Sequence, residues 1–309
     1  MQRNNISKDE VFNMSTIYLE VGASESGDGS AGNPFHVDGQ TALDDILDGS
    51  YTNASAAQSG DVYVFKAGTY ASGLRINADG HDGLTFRGEG THAAYFPLVQ
   101  LGPIGDLTSN ILTRSSETTT FSNLNLQPSS AFRAGGGTLA IVDCLIDAAV
   151  SGGYATFQMG GYAPGSTPDG WLPSSISFLR CLVINGTADL FQRRNTNHTY
   201  TNAKDLPSPL TIDFCTFILR DQEPFSQGAS GASFAANINN SIFYGEDGVT
   251  SDSNNYNSFP ESANNWAYQT GGSRLSGISI ATTDPLFIDP AVDNYRLRPS
   301  DAGPIGLGV

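Results

Sequence analysis

The sequence predicts an all-β chain: a right-handed parallel β-helix, or solenoid, with a short N-terminal capping helix. Three observations predict it. Short apolar lines recur along the chain with turn residues between them, and nothing after residue 50 reads as a long helix. The cysteines Cys144, Cys181 and Cys215 each fall at the same place in one such line. The composition agrees, with 35 glycines beside abundant Asn, Ser and Thr, which suits many short strands and tight turns. Aromatic and β-branched residues are too evenly spread for a disordered chain.

Residues 1–14 read as a hydrophilic arm, and 15–309 as a single β-helix domain. Within it, 15–60 is an entry module with its cap, and 275–309 an exit segment. The entry holds strand Ile17–Val21, a Gly-rich turn over 26–35 and a short helix. In that helix Ala42, Leu43, Ile46 and Leu47 form one apolar face, with Asp44, Asp45 and Asp48 turned away. Such a helix closes the open end of a solenoid core. Strand Asp61–Lys66 follows, then GLRI at 73–76, LTFRG at 84–88, NILTR at 110–114 and FSNLNL at 121–126.

The middle of the chain repeats itself in LAIVDCLID (139–147), ISFLRCLVI (176–184), LTIDFCTFI (210–218) and NINNSIFYG (237–245). Aligned on cysteine, the fourth line places Ser241 in the slot, and FSNLNL places Asn123 there. The intervals are 21, 37, 34 and 26 residues, the mark of a solenoid whose loops grow on one face. Equivalent residues on successive coils stack about 4.8 Å apart, so the thiols read as an inward structural ladder. The residues just before it, Asp143 and Arg180, are expected to meet outside as a surface ion pair.

The formal net charge of −16 repels a phosphate backbone, so nucleic acid is not an expected partner. Three cysteines cannot make a closed disulfide framework, and none has zinc spacing, so no structural metal is expected. The turn SGDGSAGN at 26–33 fails the EF-hand spacing and reads as a turn. MQRNNISKDEVFNMS lacks an apolar signal region, and no apolar run reaches membrane-spanning length; neither ordinary export nor membrane insertion is expected.

The entry IYLEVGASESGDGSAGNPF with GDVYVFKAGTYASGLRI, the line DFCTF and the ending DPLFIDPAVDNYRLRPSDAGPIG resemble the pectate-lyase-like superfamily of right-handed parallel β-helices. The likeness touches both ends and the middle, and it speaks for architecture more than for activity. That superfamily is similar in architecture to tailspikes and capsid-decorating proteins of tailed phages, and it also contains polysaccharide lyases and hydrolases. The resemblance implies a basic residue as catalytic base in the lyases, with calcium in some, and paired acids in the hydrolases. The ending DAGPIGLG departs from the usual SPAIDAG.

Two overlong intervals are the candidate functional loops. Residues 187–209 gather Arg193, Arg194, His198 and Lys204 with Phe191 and Tyr200, and residues 152–174 carry Tyr154, Phe157, Tyr162 and Trp171. Cations here suit an anionic glycan or a partner's carboxylates, and flat aromatic faces suit sugar rings or interfaces. Residues 187–209 equally read as a solvated loop. Trp266, Tyr256 and Tyr268 admit both readings.

A fold of this kind without export signal or disulfides is expected to be a non-catalytic, glycan-contacting virion protein of a tailed phage, such as a tail spike, fibre or capsid decoration. It would be made in the host cytoplasm and partnered by other virion subunits or copies of itself, with cell-surface polysaccharide as its outside contact. No cofactor is expected. The alternative is a polysaccharide lyase or glycoside hydrolase reaching the outside by a non-classical route, with Arg193, Arg194, His198 and Lys204 as catalytic candidates; only there does calcium enter.

Overall fold

The computed structural model describes residues 14–22, 27–70, 83–89, 99–104, 118–128, 132–134, 138–148, 157–159, 175–185, 191–193, 210–219, 225–227, 236–245, 266–269, 287–289 and 294–297. Strands β1 (Thr16–Val21) and β2 (Phe35–Val37) precede helix α1 (Gln40–Asp48). Then come β3 (Val62–Phe65), β4 (Gly68–Tyr70), β5 (Thr85–Gly88) and β6 (Val99–Ile104). A regular series follows: β7 (Thr118–Ser122), β8 (Asn125–Pro128), β9 (Phe132–Ala134); β10 (Thr138–Val142), β11 (Leu145–Ala148), β12 (Phe157–Met159). It continues with β13 (Ser175–Leu179), β14 (Leu182–Asn185), β15 (Phe191–Arg193); β16 (Leu210–Asp213), β17 (Thr216–Leu219), β18 (Phe225–Gln227). The last elements are β19 (Ala236–Asn239), β20 (Ile242–Gly245), β21 (Trp266–Gln269), β22 (Phe287–Asp289) and β23 (Asn294–Leu297).

From β7 to β20 the chain visits three sheets in rotation. The first has the order β19-β16-β13-β10-β7-β5-β3-β1-β2, the second β21-β20-β17-β14-β11-β8-β6-β4 and the third β18-β15-β12-β9. Every neighbouring pair in them is parallel, whereas β22 and β23 form an antiparallel pair inside the exit segment. Parallel strands need long crossovers, usually helical. Between β7 and β20 each crossover runs through the other two sheets, so all-β composition and parallel pairing coexist.

Inward positions alternate along each strand of the first sheet. Leu139 and Ile141 pair in register with Ile176 and Phe178, and these with Leu210 and Ile212; all six are buried. In-register stacking brings like side chains over one another. Phe86 lies between Tyr63 and Phe121 at ring-centroid distances of 5.6 and 5.4 Å, and Phe217 and Phe243 stack at 4.9 Å.

Helix α1 covers one end of this core, as its apolar face predicts: Leu43, Ile46 and Leu47 are buried in the same cluster as the strand residues. Gly49 ends the helix in the left-handed region, φ 77°, with its N–H 3.3 Å from the Ile46 carbonyl. A Cβ there would come within 2.3 Å of the Ala56 nitrogen, so only glycine closes this turn.

Two expectations are corrected. The segments 152–174 and 187–209 are not simply loops, since they contain β12 and β15 of the third sheet. Strands this short, in Gly- and polar-rich surroundings, leave no two-residue alternation to read. Strand β6 was likewise unforeseen. GLRI at 73–76, NILTR at 110–114 and the arm over residues 1–13 lie outside the described residues.

Candidate functional site

Between each first-sheet strand from β7 to β19 and the next strand of the second sheet, the chain turns through one residue in the left-handed region. These residues are Asn123, Asp143, Arg180, Phe214 and Asn240, with φ between 49° and 54°. Each of the first four donates its backbone N–H to the following repeat: Asn123 to Val142 O, Asp143 to Leu179 O, Arg180 to Asp213 O and Phe214 to Asn239 O, at 2.9–3.3 Å. Two residues on, Leu145, Leu182, Thr216 and Ile242 donate back to Leu124, Cys144, Cys181 and Cys215 carbonyls at 2.8–3.0 Å. The turn is thereby stitched to its neighbours on both sides.

This register overturns one alignment. Phe121 pairs with Ile141 and Ser122 with Val142, so Asn123 corresponds to Asp143, and Leu124 takes the inner slot with Cys144. The polar residue of FSNLNL belongs to the outer column. The inner column is Leu124, Cys144, Cys181, Cys215 and Ser241, all buried.

The inner thiols have specific work. The Cys181 N–H lies 3.4 Å from the Cys215 sulfur, and the Cys215 N–H donates to Ser241 Oγ at 3.1 Å. In return Cys215 Sγ sits 3.2 Å from Asp213 O, and Ser241 Oγ donates to Asn239 O at 2.7 Å. From Cys181 to Ser241 the slot is linked by side chains that both accept and donate, as Cys and Ser do, whereas Leu124 at the other end of the column does neither. Burial pushes the Cys144 and Cys215 thiols well above the usual thiol range. Such thiols stay protonated and are poor nucleophiles and metal ligands.

The outer column is surface chemistry. Arg180 makes the expected pair with Asp143, and it is bidentate: Nε to Oδ1 at 2.6 Å and the terminal nitrogen to Oδ2 at 2.7 Å. The hydrogen bonds that Arg180 donates to the Asp143 carboxylate, with its charge, raise the Arg180 pKa and keep the guanidinium charged. Asn123 donates from Nδ2 to Gly88 O at 3.2 Å, and Asn240 from Nδ2 to Asp213 Oδ1 at 2.9 Å. Phe214 is the exception, an aromatic 38 % exposed in the same backbone conformation.

Of the residues singled out in sequence, Phe191 and Arg193 stand in β15. There Phe191 pairs with Phe157 and Phe225, and Arg193 with Met159 and Gln227. Trp266 and Tyr268 stand in β21, paired with Ile242 and Tyr244. Arg194, His198, Lys204, Tyr154, Tyr162, Trp171, Tyr200 and Tyr256 lie outside the described residues.

Two features near the capped end carry no sequence signal. Glu20 lies 3.6 Å from His36 Nε2 and 3.7 Å from Lys66 Nζ, a cluster assembled only by pairing of β1 with β2 and β3. A cavity of about 540 Å³ is lined by Asp28, Phe35, Asn53, Gln58, Asp61 and Tyr63 among others. Its buried carboxylate, Asp61, already accepts the Ser15 and Gln58 N–H groups at 2.9 and 2.8 Å, so it fastens the entry turn. Asp28 accepts the Ser30 N–H at 2.9 Å within its own turn, and hydrogen bonds from the Ser30 side chain first and its backbone second lower the Asp28 pKa. Among the described residues no group of three or more His, Cys, Asp or Glu could hold a metal ion, and no helix is long and apolar enough to cross a membrane.

No protein-family model matches the chain, and neither a curated protein nor a solved structure matches it.

Proposed function

We propose that the chain is a right-handed parallel β-helix serving as a structural, glycan-contacting subunit of a tailed-phage particle. In this reading it is non-catalytic, needs no cofactor, and assembles with copies of itself or other virion subunits. The three-sheet rotation supports the architecture. The observation that carries the non-catalytic reading is the Arg180–Asp143 pair. A lyase needs a basic group that can give up its proton and take one from a uronate. Arg180 is held charged by a bidentate carboxylate instead, and burial keeps the Cys144 and Cys215 thiols protonated.

The test is incubation with a panel of uronate-containing and neutral polysaccharides, following the ultraviolet absorbance of unsaturated products and the release of reducing ends. No turnover together with retention on one or more of the polysaccharides is expected. Turnover abolished by Arg193→Ala or His198→Ala would replace this proposal with a depolymerase. For the particle assignment, antibody labelling of purified virions from the source phage should decorate them; a gene lying among metabolic enzymes, far from tail or capsid genes, counts against it.

A further inference from the structure

The turn column imposes one backbone conformation on five successive repeats, and four of its occupants are accounted for. Asn and Asp adopt the left-handed region readily, and Asn123, Asp143 and Asn240 fill three of the slots. Arg180 is unsuited to it but gains a bidentate carboxylate. Phe214 is equally unsuited and gains no comparable contact, its backbone N–H to Asn239 O aside. Among the described residues the exposed large hydrophobics are Met14, Val21 and Phe214, of which Phe214 alone is aromatic. A strained, bulky, exposed residue that the fold does not need points to a role outside the fold.

Its surroundings indicate the partner. Adjacent parallel strands lie about 4.8 Å apart, so the neighbouring turns flank Phe214 closely. On one side stands the Arg180–Asp143 pair, in which the guanidinium spends two of its five N–H donors on the carboxylate. On the other stands Asn240, bonded to Asp213, the residue that precedes Phe214. An aromatic face bordered by planar polar pairs matches a sugar ring, which offers C–H groups to the ring and hydroxyls to the edges. The positive charge is already neutralised by Asp143, and the chain carries a net −16, so an anionic glycan is repelled. Self-association is poorly served, because one aromatic cannot supply the roughly 800 Å² per partner of a stable interface.

We infer that the outward turn strip Arg180–Phe214–Asn240 is a binding site for neutral oligosaccharide, with Phe214 as the stacking platform and Arg180 and Asp213 bonding the hydroxyls. The inference rests on the glycan-contacting reading above and narrows it to a place and a ligand class. It is tested by screening the full chain on an array of neutral and uronate oligosaccharides, then measuring Kd by calorimetry for the best neutral ligand. Phe214→Asn removes the ring and relieves the backbone, so it should fold with a Tm at or above wild type while weakening binding at least about tenfold. Phe214→Trp should keep Kd within about threefold. Unchanged affinity in well-folded Phe214→Asn overturns the site and leaves the glycan-contacting reading standing. Wild-type protein that ignores every glycan on the array overturns both, and preference for uronates overturns the neutral-ligand assignment.

Discussion

Replacing Cys215 tests whether the inner column is a hydrogen-bonding device or ordinary packing. The thiol is fully buried, accepts the Cys181 N–H at 3.4 Å and points at Asp213 O from 3.2 Å. Cys215→Ala strands a buried amide, worth about 1–3 kcal/mol, and removes one buried heavy atom, worth about 1 kcal/mol. The expected loss is therefore about 2–4 kcal/mol. Cys215→Ser keeps an acceptor and a donor in place and should cost about 1 kcal/mol, whereas Cys215→Val fills the volume but leaves the Cys181 amide without a partner. Urea unfolding followed by circular dichroism, compared at constant m-value, gives the order wild type, Ser, then Val and Ala. If Val proves more stable than Ser, or Ala matches wild type, the column is apolar packing and the hydrogen-bonding account of it is wrong.

The same thiols predict alkaline sensitivity. Burial raises the folded pKa of Cys144 and Cys215, so their contribution to stability is complete below the unfolded thiol pKa of about 8.5. It is lost as pH rises above it, at up to about 1.4 kcal/mol per pH unit for each thiol. Tyr63 and Tyr70, also raised by burial, add to the loss above about pH 10. Urea midpoints between pH 7 and 10 should fall accordingly, and less steeply in Cys215→Ser; a flat profile would contradict the thiols' burial. For the surface pair, a double-mutant cycle with Asp143→Ala and Arg180→Ala should give a coupling of about 0.5–1 kcal/mol that shrinks in 1 M salt. A coupling that ignores salt would point to packing instead. Leu43→Ala removes a fully buried side chain from the capping helix, and a loss of about 2–5 kcal/mol is expected by the same denaturation assay.

What could be read in the sequence follows from how strong each local pattern is. The capping helix was legible because Leu43, Ile46 and Leu47 repeat at helical spacing, and the inner column because three cysteines mark it. The Asp143–Arg180 contact followed from position relative to those cysteines. Asn123 does not mark the inner column, because both columns accept small polar residues. The apolar spacing of Phe121, Leu124 and Leu126 matches Ile141, Cys144 and Ile146, and that pattern decides the register, since a shift of one residue sends every side chain to the opposite face. The third sheet was hidden because its strands hold three residues each. Phe132, Phe157, Phe191 and Phe225 become a column only once the register of the other two sheets is known.

The turn column shows how fold and function separate in such a chain. Its geometry is dictated by the stitching of backbone groups across repeats, so any residue there must accept the left-handed region. That constraint makes the column a sensitive indicator, because a side chain unsuited to the backbone must gain something else by being there. Arg180 gains Asp143, inside the molecule. Phe214 has no such gain among the described residues, and it stands 38 % exposed in the turn column between Arg180 and Asn240. The proposed neutral-sugar site thus rests on a departure from the rule its neighbours obey, at a position where a fold selected for stability alone would hold asparagine.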